Sequence, residues 1–108
     1  MIYFAVWPES EWLGGTVKIG YTRDLPKREK ELGAEFVDAI LGDAFDESYL
    51  HKTLRPFRAH QQIGRCEYYA MFPAIEVLLH LPTWLKQAVV DHRLLTRFIE
   101  WVQAPEVA

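Results

Sequence analysis

The sequence predicts a small α+β protein with an antiparallel sheet, and three observations support this fold class. The chain has 108 residues, of which 50% are hydrophobic, so we expect one hydrophobic core rather than several domains or disorder. Two β-branched and aromatic segments, residues 2–7 and 16–21, are joined by a loop that ends in two glycines. Helical patterns alternate with one further extended segment in the remaining chain.

The first two extended segments are expected to form an antiparallel hairpin, because their composition favours strands and a medium loop joins them. Gly20, inside the second strand, indicates a bulge or a close backbone approach. Asp24 provides a helix N-cap, and Pro26 fits a first helical turn. This helix is expected to end at Gly33, and residues 36–41 are expected to add a third strand.

A second helix is predicted from about Ala44, with an apolar side and a contrasting polar stripe. The apolar side comprises Phe45, Tyr49, Leu50 and Leu54. The polar stripe has steps of four, four and three residues, and comprises Glu47, His51, Arg55 and Arg58. Pro56 must end or kink this helix, because its ring clashes with the carbonyl four residues earlier. Residues 67–69 are expected to be extended.

The C-terminal part is predicted to be helical. Pro73 begins a short helix to about His80, and Pro82 then interrupts the chain. A single longer helix is predicted from there to Gln103. Its apolar surface either completes the core or leaves a patch for a homodimer, and it includes Trp84, Phe98 and Trp101.

Histidine and cysteine residues do not predict a zinc site. The spacings of His60, Cys66, His80 and His92 match no zinc-ligand pattern. We expect His80 and His92 to lie within the packing of the C-terminal helices. One cysteine excludes an intramolecular disulfide and fits a reducing environment.

Charge is distributed unevenly along the chain, whose formal net charge is −3. Nine of the twelve Lys and Arg residues lie between Lys18 and Arg65, together with eight acidic residues. A nucleic-acid-binding surface is therefore expected to come from the middle of the chain. The apolar segments are too short for a signal-peptide core or a membrane span, so a cytoplasmic location without a membrane partner is predicted.

Five short motifs occur in an order that resembles the GIY-YIG nuclease superfamily. They are Ile2-Tyr3-Phe4, Lys18-Ile19-Gly20-Tyr21-Thr22, Arg28, Glu47 with Leu50-His51, and Glu67-Tyr68-Tyr69. The similarity is greatest to a small phage and bacterial branch whose second motif commonly reads KIGYT. It implies a nuclease-like domain over residues 1–72, with three antiparallel strands flanked by helices. Residues 73–108 are then a C-terminal helical extension that packs on this domain or extends it.

The resemblance implies hydrolysis of phosphodiester bonds, with DNA as the expected substrate and Mg²⁺ or Mn²⁺ as the cofactor. The expected catalytic residues are Tyr3, Lys18, Arg28, Glu47 and His51, and Glu47 is also the expected metal ligand. The expected substrate-binding residues are Tyr21, Arg23, Arg55 and Arg58.

The chemistry explains these residue types. One carboxylate can hold Mg²⁺ together with several waters, and the fork of Arg28 donors matches phosphate oxygens. Lys18, on the neighbouring strand, would favour the deprotonated Tyr3 that a base requires. His51 lies one helical turn after Glu47 and can bind phosphate or assist proton transfer.

Each of these residues also has a structural interpretation, so a second function stays open. Tyr3 fits a core aromatic, Arg28 a surface ion pair, and Glu47 a favourable charge at a helix N-terminus. The alternative to an active endonuclease is a catalytically weak or inactive protein that keeps the fold and binds protein or nucleic acid. A purely structural protein would leave the polar stripe on the second helix unexplained.

Overall fold

The computed structural model describes residues 1–59 and 68–104, and its α+β fold confirms the predicted class. One antiparallel sheet has the order β3-β1-β2-β4, with strands β1 (Ile2–Val6), β2 (Thr16–Tyr21), β3 (Glu35–Ile40) and β4 (Tyr68–Ala70). The three predicted strands are present, and β4 adds a fourth. The sequence indicated only an extended segment there, because three residues are too few to show strand periodicity.

The strand register divides the sheet into two faces. Tyr3 pairs with Gly20, and Phe4 pairs with Ile19. Paired residues of antiparallel strands lie on the same side, and successive residues alternate between sides. Tyr3 and Phe4 therefore project from opposite faces, which we call the α1 face and the core face.

Helix α1 (Leu25–Leu32) lies on the face that carries Tyr3 and has the predicted ends. The Asp24 side chain accepts a hydrogen bond from the backbone of Lys27, and Gly33 ends the helix in the left-handed region with φ of 59°. The indole N–H of Trp7 donates to the carbonyl of Leu32 at 3.1 Å. This bond attaches the end of α1 to the sheet.

The core face is covered by α2 (Ala44–Thr53), α3 (Pro73–His80), α4 (Thr83–Asp91) and α5 (Leu95–Gln103). A 3-10 turn, Arg55–Phe57, follows α2, as expected from Pro56. The largest fully buried side chains of this core include Phe4, Tyr69, Ile2, Ile19, Ile40, Leu50, Leu54, Ile75 and Leu95. No helix within the described ranges is long and apolar enough to cross a membrane.

The predicted single helix up to Gln103 is wrong, because the chain turns between α4 and α5. Arg93 adopts the left-handed region with φ of 53°, and its N–H donates to the carbonyl of Val90 at 3.1 Å. The N–H of Leu95 then donates to the Tyr49 hydroxyl at 3.0 Å. The apolar pattern continues through this turn because both helices pack on the same core, so periodicity alone did not reveal it.

Arg93 connects this turn to α2. Its guanidinium lies 2.8 Å from Asp46 and 4.4 Å from the centroid of the Tyr49 ring. The backbone amide of Asp43 and the Arg93 charge lower the pKa of Asp46, against an opposing effect of desolvation. The clasp formed by Arg93, Asp46 and Tyr49 therefore joins the C-terminal helices to the N-terminal part of the fold.

A buried ion pair joins α4 to β3. Lys86 is only 1% exposed, and its Nζ donates to Asp38 at 2.7 Å and to the Leu81 carbonyl at 3.0 Å. The Thr83 hydroxyl donates to the same carboxylate at 2.8 Å. Desolvation acts to raise the pKa of Asp38, but the hydrogen bonds from Lys86, Thr83 and a backbone amide outweigh it and lower the pKa.

Several side chains predicted to be packed are exposed. Phe45, expected on the apolar side of α2, is 81% exposed, and His80 and His92 are exposed as well. Phe45 precedes the first core position of α2, and both histidines lie at helix ends, so helical spacing did not determine their burial. Trp84 and Trp101 are also exposed; the homodimer stays a prediction.

Candidate functional site

Tyr3 and Arg28 form the first group of predicted site residues, on the α1 face. The Tyr3 ring is buried and stacks on Phe36, with ring centroids 4.6 Å apart. Arg28 Nε donates to the Tyr3 hydroxyl at 3.4 Å. A Cβ atom at Gly20 would overlap this hydroxyl, so the close approach predicted at Gly20 is made by a side chain rather than by backbone.

Arg28 is held by two partners and keeps donors for an anion. Its Nη1 lies 3.4 Å from a carboxylate oxygen of Glu31. The hydrogen bond with Tyr3, with the help of Glu31 and against desolvation, raises the pKa of the guanidinium above its ordinary value. The described bonds use two of the five guanidinium donors. The half-exposed side chain can therefore bind a phosphate oxygen while it contacts Tyr3.

Lys18 shares the α1 face and is buried. Its Nζ lies 5.0 Å from the centroid of the Tyr68 ring, and Tyr68 stacks on Trp7 at 5.7 Å. The ammonium is thus directed towards β4, whereas the Tyr3 hydroxyl lies above Gly20. The effect of Lys18 on Tyr3 stays a prediction.

Glu47 and His51 form a second group, on α2. His51 Nε2 lies 4.0 Å from a carboxylate oxygen of Glu47, as their spacing of one helical turn predicts. His51 Nδ1 is hydrogen-bonded to the hydroxyl of Tyr69, and the two rings are nearly parallel at 5.8 Å. Tyr69 is fully buried on β4. Its hydrogen bond orients the imidazole of His51.

The local sequence fixes where α2 begins and so where Glu47 lies. Asp43 and Asp46 form a capping box, in which each carboxylate accepts from the other residue's backbone N–H. Glu47 follows in the first turn, where a negative charge also favours the helix dipole. The structural interpretation of Glu47 therefore has a basis in the fold, alongside the catalytic one.

The group of Tyr3 and Arg28 and the group of Glu47 and His51 lie on different sides of the sheet. Tyr3 projects from the α1 face, whereas α2 packs on the core face. Within residues 1–59 and 68–104, the contacts join Tyr3 to Arg28 and Glu47 to His51, but not one group to the other. Among the described residues, β4 pairs with Thr16 to Lys18 of β2.

Tyr21 and Arg23 lie at the C-terminal end of β2, and both are exposed. Tyr21 is paired with Ile2 at the margin of the sheet. Their exposure allows contact with a substrate, as the substrate-binding prediction requires. The role itself stays a prediction.

Arg55 and Arg58 lie together beside a cleft of about 620 Å³ on the outer side of α2. The lining residues are Phe45, Ser48, Tyr49, His51, Lys52, Arg55 and Arg58. Lys52, Phe45 and Tyr69 are not among the site residues predicted from the sequence. Lys52 directly follows the polar-stripe residue His51, and Tyr69 belongs to the Glu67-Tyr68-Tyr69 motif. The sequence therefore offered a reason to include both residues in the predicted site. It offered none for Phe45.

The metal prediction rests on Glu47. In the part of the chain that the structure describes, three or more His, Cys, Asp or Glu side chains do not come together as a metal cluster. One carboxylate ligand suits an ion that keeps most of its water ligands, as Mg²⁺ does. Glu67, His60 and Cys66 lie outside the described residues.

The fold and these side chains define a small α+β domain with a phenol–guanidinium pair and a carboxylate–imidazole pair at one sheet. The chain matches the family model of the T5orf172 domain over residues 1–89. It therefore belongs to the T5orf172 family, a domain of phage and bacterial proteins often associated with GIY-YIG or HNH-like nucleases. No curated protein and no solved structure matches the chain.

Proposed function

We propose that this protein is a metal-dependent endonuclease of the GIY-YIG type that hydrolyses phosphodiester bonds of DNA. The observation that carries the proposal is the hydrogen bond from Arg28 to the Tyr3 hydroxyl, made in the space that Gly20 leaves open. A buried phenol held by a half-exposed guanidinium combines a proton acceptor with a phosphate-binding group. The nuclease association of the T5orf172 family supports the same function.

The side chains have complementary roles in this reaction. Arg28 binds nonbridging oxygens and stabilises the charge that develops on the phosphorane. Tyr3, as its phenolate, accepts the proton of the attacking water and becomes the neutral phenol, and Lys18 on the same face adds positive charge. Glu47 would hold Mg²⁺, and the bound ion would supply Lewis-acid stabilisation of negative charge on the substrate. His51, oriented by Tyr69, binds phosphate or gives a proton to the leaving oxygen.

A binding protein that keeps the fold is the second candidate, and one observation favours it. Tyr3 is 1% exposed and projects from the face opposite to the one that α2 covers. In a protein without activity, Tyr3 needs only to pack on Phe36 and Glu47 needs only to favour the start of α2. The two candidates therefore predict different results when these side chains are changed.

Nicking of supercoiled plasmid tests the proposal. The full chain is assayed with Mg²⁺, with Mn²⁺ and with EDTA, together with Arg28→Ala and Glu47→Gln. Metal-dependent nicking that is lost by at least about 100-fold in both variants supports the endonuclease. Matched controls are Lys27→Ala, adjacent to Arg28 and exposed, and Glu76→Gln, an exposed carboxylate of α3; both are expected to retain activity.

The binding alternative has its own result. If plasmid, single-stranded DNA and RNA all stay intact with either metal, while the protein is folded by circular dichroism, the endonuclease proposal is wrong. Cleavage that persists in Glu47→Gln would likewise remove Glu47 from the proposed site.

A further inference from the structure

The cleft on α2 contains an aromatic ring that the core does not use. Phe45 is 81% exposed, although large apolar side chains are usually buried when the fold can use them. It lies in the first turn of α2, beside the exposed Ser48 and Lys52 at helical spacings of three and seven residues. The ring and the cation thus share one side of the helix.

The charge of the cleft is opposite to that of the whole chain. Its lining residues are all neutral or basic, whereas the chain has a net charge of −3. Lys52, Arg55 and Arg58 form no ion pair with another residue of the described ranges. Three cations that line one cleft, without carboxylate partners among the described residues, fit an anionic ligand.

Arg58 adds a buried donor. Its backbone is fixed by a bridge to Tyr69 of β4. Its Nε is buried and has no hydrogen-bond acceptor in the part of the chain described here. The residue also lines the cleft, where a guanidinium can bind a phosphate oxygen.

We propose that this cleft binds single-stranded DNA, with an unpaired base stacked on Phe45 and the phosphates bound by Lys52, Arg55 and Arg58. Single-strand-binding sites combine a basic groove with aromatic rings on which bases stack. A duplex offers only its backbone here, because its bases are already stacked on each other and the cleft of about 620 Å³ has the size of a small-ligand site. The inference deepens the proposed function: it assigns the nuclease a substrate with an unpaired segment beside the scissile bond.

Binding in EDTA tests this inference independently of cleavage. Fluorescence anisotropy of the full chain is measured with a fluorescein-labelled oligo(dT), with oligo(U) of the same length, and with a duplex of the same length. We expect the oligo(dT) to bind more tightly than the duplex. Phe45→Ala is expected to weaken oligo(dT) binding about tenfold, the effect of losing one stacked base, and to leave duplex binding unchanged.

Matched variants separate stacking from charge and from folding. Phe45→Trp keeps a ring and is expected to bind like the wild type, whereas Trp84→Ala removes another exposed aromatic, on α4, and is expected to have no effect. Arg55→Ala is expected to weaken the binding of all three nucleic acids. It is also expected to reduce the salt dependence of binding by about the amount that one phosphate contact contributes. Arg97→Ala, an exposed arginine of α5, is its control.

The outcomes are distinct from those of the plasmid assay. The inference is overturned if wild type and Phe45→Ala bind oligo(dT) equally, or if Phe45→Ala weakens the binding of oligo(dT) and of the duplex to the same extent. It is also overturned if the protein binds no nucleic acid. Tighter binding of oligo(U) than of oligo(dT) overturns its assignment to DNA. Ring-dependent strand binding without cleavage of plasmid, single-stranded DNA or RNA supports the cleft and contradicts the endonuclease, whereas cleavage with unchanged Phe45→Ala binding does the reverse.

Discussion

The Tyr3 hydroxyl fills the space above Gly20 that any other residue would occupy with its side chain. The two residues are directly paired across β1 and β2, so the fit is fixed by the register of the sheet rather than by a flexible loop. The glycine of the second motif therefore has a steric reason: it allows a phenol to lie flat across the strand and reach Arg28.

Gly20→Ala is expected to destabilise the fold by about 1–3 kcal/mol, because the new methyl overlaps the Tyr3 ring and its hydroxyl. Urea denaturation measures the free energy of unfolding. Gly15→Ala is the control, since a Cβ atom at Gly15 meets nothing within 4 Å. Equal stability of the two variants would show that Tyr3 does not need this space.

Tyr3→Phe separates chemistry from packing. The ring keeps its stack on Phe36, so the free energy of unfolding is expected to change by less than about 1.5 kcal/mol, the scale of one hydrogen bond. If Tyr3 accepts the proton of the attacking water, the cleavage rate is expected to fall by about 100-fold or more. Single-turnover cleavage measures the rate. A variant with unchanged rate would leave Tyr3 only a packing role.

Lys86→Met is expected to destabilise the fold by about 3 kcal/mol or more, because it leaves the Asp38 carboxylate near the core without its buried counter-ion. Lys27→Met breaks an exposed ion pair with Glu31 and is expected to change stability by less than about 1 kcal/mol. Thermal and urea unfolding of both variants test the difference. If both variants lose a similar amount of unfolding free energy, the burial of the Lys86 ion pair does not make it more stabilising than the exposed pair.

Acid is expected to destabilise the protein partly through Asp38. The pKa of Asp38 is lower in the folded chain than its unfolded value of about 3.9. Its carboxylate therefore stabilises the fold above that pH, and this contribution is lost as the pH falls below about 4 towards the folded-state pKa. Asp38→Asn is expected to be less stable at pH 7, and its stability is expected to fall less steeply between pH 5 and pH 3. Parallel pH profiles for the two proteins would contradict this assignment.

Arg93→Ala is expected to destabilise the fold by about 1–2 kcal/mol, because it removes the ion pair to Asp46 and the contact with the Tyr49 ring. Its backbone stays in the left-handed region. Arg93→Gly loses the same contacts but fits that conformation, so it is expected to be more stable than Arg93→Ala. Urea denaturation of the three proteins measures this order, and the reverse order would show that the turn changes conformation.

Much of the fold could be predicted because local signals and burial agree. Asp24 and Gly33 mark the ends of α1 through a side-chain cap and a left-handed residue, and both signals depend only on neighbouring residues. The hairpin strands were recognisable for the same reason. The turn at Arg93 was not, since an arginine in the left-handed region is held there by contacts with a distant helix.

Part of the candidate site could likewise be predicted from the sequence, and part of it could not. The order of the motifs pointed to Tyr3, Arg28, Glu47 and His51 as candidate catalytic residues. The spacing of one helical turn correctly placed His51 beside Glu47. The sequence did not reveal that Tyr3 projects from one face of the sheet whereas α2, which carries Glu47, packs on the other, because this depends on strand register and helix packing. The exposed ring of Phe45 was assigned to the core for a related reason: periodicity describes a helix side but not what covers it.

The buried ion pair between Lys86 and Asp38 also bears on how this domain moves between proteins in evolution. A gene fragment that encodes only β1 to β3 with α1 would separate the anion Asp38 from its counter-ion Lys86 and expose the apolar side of β1. Recombination that keeps a foldable protein is therefore expected to carry the chain at least through α4. The T5orf172 match, which extends to residue 89 and so includes Lys86, agrees with a heritable unit of that size.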